Sequence, residues 1–233
     1  IFNTAMALES GAVTLRDGYD ATKPIRIARF TISDYHAQKR WLSVPEIFMY
    51  SSNIGSVKIA LDVGTEDQRA FLARLGLLDR LALELPETGT PMTPRPWRQI
   101  NTMTISYGHG LSVTPLHLAG AVSTVVNGGL RHAPTLLAQD TPATGQRVFS
   151  ADTSKAMRRL LRLVVKSGTG RNADARGFLV GGKTGTAEKS GVGGYRRKAL
   201  LSSFVAAFPL NAPKFVILVM VDEPKGNERS HGY

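Results

Sequence analysis

Gly177-Phe178-Leu179-Val180-Gly181-Gly182-Lys183-Thr184-Gly185-Thr186 admits two readings, and they demand different folds. Read as G-x-x-x-x-G-K-[ST], Gly177 to Thr184 is a phosphate-binding loop. Val216 to Glu223, apolar until Asp222 and Glu223, would then be the strand whose acids hold Mg²⁺. Such a loop follows a buried strand and opens a helix whose N-terminal N–H groups cradle phosphate. The flanks here are reversed. A basic helical pattern and the polar segment Ser167 to Asp174 precede the stretch, and Phe178, Leu179 and Val180 put bulk where phosphate must approach backbone. Gly185, Gly191, Gly193 and Gly194 then argue against a following helix. The alternative is an extended strand over Phe178 to Ala187 that carries Lys183-Thr184-Gly185-Thr186 on a sheet edge.

The strand reading organises the rest of the chain. Leu200 to Phe208 and Lys214 to Val221 are further strands, joined by a Gly-rich hairpin loop and by Pro209 to Pro213. Connections this short imply antiparallel pairing. Upstream, helical periodicity dominates. Ile1, Phe2, Ala5, Met6 and Leu8 form an apolar face closed by Gly11 as C-cap. Ser43 to Tyr50 and Ile54 to Leu61 read as buried helices. Thr65 with Gln68 suggests a capping-box start for a helix running to Gly76, and Thr114-Pro115 opens one running to Gly128. Pro24 and the alternation of Ile25, Ile27 and Phe30 suggest a short strand or loop. Pro86 to Arg98 is loop by its prolines, and Gln139 to Gln146 is a break. The expected fold class is α+β: a mainly helical part over 1–176 packed against an antiparallel sheet part over 177–233, with a site at their junction.

Ser51-Ser52-Asn53 forms a Ser-x-Asn turn between the two buried helices, and Ser106 to Leu116 contains Gly108-His109-Gly110 ahead of a helix start. A Ser-x-Asn turn followed by a Lys-Thr-Gly strand resembles the penicillin-recognising acyl transferases. Val44 to Gly55 and Ser106 to Leu116, in this order, are similar to the transpeptidase domain of division-type class B penicillin-binding proteins, and the likeness covers essentially the whole chain. That resemblance implies a peptidoglycan D,D-transpeptidase working through an acyl-serine intermediate and blocked by β-lactams. Its partners would be stem peptides and other membrane proteins of wall synthesis or division. It implies roles as well. Lys183 places a cation beside Ser51 and the donor carboxylate, Thr184 and Thr186 hydrogen-bond that carboxylate, and Gly185 leaves room for substrate. The Thr186 N–H serves an oxyanion, Ser51 passes a proton to the leaving amine, Asn53 holds the donor amide, and Gly108 and His109 shape or face the substrate loop. Taken singly, Ser51 and Asn53 also fit a helix cap or turn, and Lys183 a surface charge.

The chain departs from the family at one place: no serine has a lysine three positions later, so the nucleophile of Ser-x-x-Lys is absent. Ile1 and Phe2 resemble the residues that follow that lysine. The expectation is that the chain opens inside the nucleophile helix, is incomplete at both ends and is inactive as written, with its membrane anchor lying upstream on the periplasmic face of a bacterial inner membrane. A D,D-carboxypeptidase, a β-lactamase or a β-lactam-binding sensor would share these motifs, and a P-loop ATPase remains the rival from another class.

Composition bounds these readings. Length of 233 residues suffices for one large domain. Cysteine is absent, which excludes disulfide scaffolds, cysteine nucleophiles and thiolate metal sites. His36, His117, His132 and His231 lack ligand spacing, so no metal or other cofactor is expected. No apolar run reaches the roughly 20 residues needed to span a bilayer. The net charge of +11 invites a nucleic-acid reading. However, Arg158, Arg159, Arg162 and Lys166 fall on the polar face of a helix whose other face is Met157, Leu160, Leu161, Val164 and Val165, which reads as a solvated face. Arg196, Arg197 and Lys198 add a second basic run. No aromatic interleaving accompanies either, so nucleic acid is not an expected partner.

Overall fold

The apolar spacing at the start of the chain produces helix α1 (Phe2–Glu9), whose Thr4, Ala5, Met6 and Ala7 are buried. Ser10 is its C-cap, and Gly11 follows with φ of +72°, the left-handed exit that glycine allows. The structure, a computed structural model, describes residues 1–225 except Arg29, Pro142, Val192 and Gly193. His231 and Gly193 therefore lie outside the described residues.

Strand β1 (Gly18–Asp20) leads to the hairpin of β2 (Ile25–Ile27) and β3 (Phe30–Ile32), and β4 (Trp41–Ser43) returns antiparallel to β1. Ser43 then caps α2 (Val44–Tyr50). Its hydroxyl accepts from Glu46 N while the Glu46 carboxylate accepts from Ser43 N at 2.9 Å. A single sharp turn separates α2 from α3 (Asn53–Val63).

Helix α4 (Thr65–Arg74) follows at once, and here the expected capping box fails. Gly64 is the N-cap. Gln68 is buried, its amide donating to Thr102 O at 3.0 Å, and Thr65 Oγ1 accepts from Thr102 Oγ1. Both residues are spent on holding α5 (Gln99–Ser106), a short helix that the proline-rich approach concealed. Thr114 caps α6 (Pro115–Val126) as expected, with His117 buried beneath it. The His117 ring contacts Thr114 Oγ1 at 2.7 Å through Nδ1 and Asp79 O at 2.9 Å through Nε2.

After the two-residue pair β5 (Leu130–Arg131) and β6 (Gln146–Arg147), α7 (Ala151–Ser167) is the longest helix described. Its apolar stripe of Met157, Leu160, Leu161, Val164 and Val165 is fully buried, worth about 1.5–3 kcal/mol per large aliphatic side chain. The opposite face is not simply solvated. Arg158 donates to Leu210 O, and Arg162 donates to Val180 O at 2.9 Å and pairs with Asp174 at 2.7 Å. These two arginines tie α7 to the sheet, whereas Arg159 and Lys166 are exposed. A long apolar stem with a forked donor suits that bridging task.

A 3₁₀ turn at Arg171–Ala173 leads to β7 (Gly181–Gly191), β8 (Gly194–Phe208) and β9 (Phe215–Asp222), antiparallel in the order β7-β8-β9. Lys183 pairs with Val205 and Thr186 with Ser202. The strand expected from Phe178 begins only at Gly181, because Phe178 N and Val180 N bond the turn carbonyls Ala175 O and Phe178 O; a Cβ at Gly182 would stand 2.5 Å from Phe204 Cζ and Val205 O. The main core joins α1, α2, α4, α6 and α7 to this sheet, with Phe71 and Phe149 stacked 5.9 Å apart at its centre. Two layers, helical and sheet, share that core.

Candidate active site

The turn between α2 and α3 is built to present Ser51. Its backbone is left-handed, φ +59° and ψ +44°, and its N–H bonds Ile47 O to end α2. Ser52 then caps α3, accepting from Gly55 N at 3.0 Å and donating to Asp34 Oδ2 at 2.8 Å. Asp34 Oδ1 accepts from Ile54 N at 2.9 Å, and Asn53 Nδ2 donates to Ser33 O at 2.9 Å. Ser33 and Asp34 thus hold Ser52, Asn53 and Ile54, leaving Ser51 exposed at the crest.

Facing it is β7. The Lys183 ammonium donates to Ser51 Oγ and, at 3.2 Å, to Thr184 O. Desolvation lowers the Lys183 pKa from its ordinary value to about 8. The Thr184 and Thr169 hydroxyls contact each other at 2.7 Å, which fixes the Thr184 side chain against the loop after α7. Gly185 and Thr186 are exposed. A Cβ at Gly185 would lie 2.7 Å from Ser203 Oγ on the paired strand, so any larger residue there would have to displace that hydroxyl.

His109 borders the same cleft. It follows α5 on a loop where Gly108 and Gly110 both have positive φ, and its N–H bonds Thr104 O at 3.0 Å. Its ring tilts against Tyr107, centroids 5.4 Å apart. Desolvation lowers its pKa, and the negative charge of Glu188 on β7 opposes that shift. Residues from three separated segments therefore converge: the Ser51 turn, the Gly108–Gly110 loop and the Lys183–Glu188 run. The Asn53 side-chain amide nitrogen donates to Ser33 O.

Helix α1 packs against α3, α4 and α7. Asn3 Nδ2 donates to Ser56 O at 2.9 Å and docks α1 on α3.

Thr184 continues into a strand rather than a helix, which removes the N-terminal N–H groups on which phosphate binding at Gly177–Thr184 depends. Asp222 and Glu223, the acids of that reading, both pair with Lys189, at 2.8 and 3.1 Å. Among the described residues no group of three or more His, Asp or Glu side chains is placed to hold a metal ion.

Asp34, Thr169 and Glu188 escaped the sequence reading. Asp34 acts 18 to 20 residues away in sequence, and nothing local marks it. Thr169 sits in Ser167-Gly168-Thr169-Gly170, whose small residues signal close approach. Glu188 was legible in principle, since period two carries Thr184 and Thr186 to it.

Comparison with known proteins identifies a family and similar chains. The family model described as penicillin binding protein transpeptidase domain matches residues 1–232. A Caulobacter vibrioides protein named probable peptidoglycan D,D-transpeptidase FtsI is 38% identical over 100% of this chain and 41% of its own length. Neisseria meningitidis PenA, named likewise a probable peptidoglycan D,D-transpeptidase, is 32% identical over 100% of this chain and 39% of its own. The chain thus spans about two fifths of the length of these curated relatives. Among solved structures, the apo transpeptidase domain of Burkholderia pseudomallei penicillin-binding protein 3 superposes with a TM-score of 0.92 at 33% identity, covering 99% of this chain and 71% of that one. Penicillin-binding protein 3 of Mycobacterium tuberculosis, in complex with aztreonam, gives 0.88 at 25% identity over 96% of this chain and 55% of that one.

Proposed function

The chain belongs to the penicillin-binding protein transpeptidase family, and from that membership we propose that the protein cross-links peptidoglycan stem peptides as a D,D-transpeptidase through an acyl-serine intermediate and is acylated by β-lactams. The observation that carries this reading is the hydrogen bond from the Lys183 ammonium to Ser51 Oγ, which joins the Ser-x-Asn turn to the Lys-Thr-Gly strand across 132 residues. In this reading residues 1–233 form one transpeptidase domain, helical over 1–176 and sheet over 177–233.

The donor peptide enters with its terminal carboxylate on Lys183, where a cation held in a desolvated niche binds an anion more strongly than it would in water. The Thr184 and Thr186 hydroxyls complete the clamp. No serine of the 233 residues has a lysine three positions on. We place the nucleophile upstream of Ile1, because Ile1 and Phe2 resemble the residues that follow the family's motif lysine. The chain as written would therefore not turn over. With those upstream residues present, the serine oxygen attacks the donor carbonyl and its proton passes to the motif lysine. The Thr186 N–H stabilises the oxyanion, and the terminal amine leaves with a proton relayed through Ser51. An acceptor amine then attacks the ester and restores the serine, while Asn53 and the Gly108–His109 loop position the peptide.

Among the described residues no helix is long and apolar enough to cross a membrane. We place the domain on the periplasmic face of the inner membrane, carried by an upstream anchor and working with other membrane proteins of wall synthesis or division. The resemblance to proteins named FtsI and PenA supports that setting.

The test is intact-mass spectrometry of the gene product including the residues upstream of Ile1, before and after benzylpenicillin. One drug molecule on the serine of the upstream Ser-x-x-Lys is the expected result. A folded protein with no adduct would refute acyl transfer.

A further inference from the structure

Along β7, exposure rises in one direction. Gly181 and Gly182 are buried, Lys183 and Thr184 half-buried, and Gly185, Thr186 and Glu188 exposed. A donor whose carboxylate is clamped at Lys183, Thr184 and Thr186 can extend along the strand only toward Glu188, because in the other direction Gly181 abuts Leu210 and the Arg162 backbone. Strand alternation places Glu188 on the face of Thr184 and Thr186, about 7 Å beyond Thr186.

Among the described residues no cation pairs with the carboxylate there. Its neighbour Lys189 is held by Asp222, at 2.8 and 2.9 Å, and by Glu223 at 3.1 Å. Among the described residues no hydrogen bond or ion pair engages the Glu188 carboxylate. Its charge is nevertheless felt across the cleft at His109. The cleft is therefore cationic where the carboxylate binds and anionic one strand repeat further on.

We propose that Glu188 selects ligands by charge at the acyl end of the cleft, favouring a donor with an ammonium group beyond its clamped carboxylate and disfavouring one with a second carboxylate there. This rests on the transpeptidase reading of the clamp. The class of substrate it fits is an acyl peptide or β-lactam that is zwitterionic along its length.

The experiment uses the protein with its upstream residues and three penicillins of one nucleus, whose side chains end in an ammonium, a neutral phenyl or a carboxylate: ampicillin, benzylpenicillin and carbenicillin. Second-order acylation rate constants are measured for the wild type, Glu188→Gln and Glu188→Lys. For a ligand charge brought to about 7 Å from the Glu188 carboxylate, between water-like and protein-surface permittivity and partly screened, the carbenicillin-to-ampicillin ratio is expected to rise about three- to tenfold in Glu188→Gln. It should rise further in Glu188→Lys, and both gains should shrink in high salt. Benzylpenicillin acylation of each variant reports that its site is intact. A ratio that stays within the error of the wild-type value in both variants overturns the proposal while leaving the transpeptidase reading standing. Absence of acylation of the wild type by any of the three removes the reading itself, and the proposal with it.

Discussion

At Ser51 the backbone sits at φ +59°, a conformation that costs most non-glycine residues about 1 kcal/mol. The residue therefore carries two separable burdens, a strained backbone and a hydroxyl on Lys183, and Ser51→Gly divides them. Thermal melts should show the variant as stable as the wild type or slightly more so. Acylation by a fluorescent penicillin should fall by about 10²- to 10⁴-fold, the usual range for a lost general acid–base group. Lys183 supplies a pH signature. Its folded pKa of about 8 lies below the ordinary 10.5, so the ammonium is present below pH 8 and is lost as pH rises through that value. Carboxylate capture, and with it the acylation rate, should decline along a limb near pH 8. Lys183→Arg, slower overall, should lack that limb because guanidinium keeps its proton. Stability runs the other way: between about pH 8 and 10.5 the unfolded chain binds more protons than the folded one, so this group's desolvation penalty is relieved as pH rises.

Elements show what sequence could and could not announce. Local chemistry made α1, α6 and the capped start at Thr114 readable, because a glycine exit, a Thr-Pro entry and a 3.6 period act within one turn. The start of α4 was misread: Thr65 and Gln68 have the spacing of a capping box, yet tertiary demand for partners to Thr102 claimed both side chains. Helix α5 was hidden by the prolines before it. The role of Asp34 was invisible for a different reason, since a carboxylate on a loop gives no sign that two donors of a distant helix start will need it. Removing it measures that need. Asp34→Ala leaves the buried Ser52 hydroxyl and the Ile54 N–H without their acceptor, and should lower stability in urea by about 1–3 kcal/mol. Acylation should fall in parallel as the Ser51 crest loosens, and Asp34→Asn, which keeps one acceptor, should recover part of both.

On the scale of the whole molecule, the α+β class followed from where period 3.6 gives way to period 2, but the meeting of three remote segments at one cleft did not, because only the family resemblance linked them. The sheet also presents an apolar outer face: Phe215, Ile217, Val219 and Val221 are 57%, 46%, 53% and 49% exposed. A row of this kind on a strand that ends its sheet among the described residues favours self-association. Sedimentation velocity on the 233-residue polypeptide should show concentration-dependent oligomers, and Val219→Lys should shift the distribution toward monomer. Another long-range feature binds the first helix to the last. The Glu9 carboxylate accepts from Ser150 N at 3.0 Å, Ser150 Oγ at 2.8 Å and Thr153 Oγ1 at 2.6 Å, the last across 144 residues. Seen from the ribosome, that separation is a delay. At about 5–20 residues per second, α1 leaves the exit tunnel about 7–30 s before the helix that anchors it does. Through that interval Ala5 and Met6 can meet Phe48 and Phe71, but the α7 side of their core is still missing.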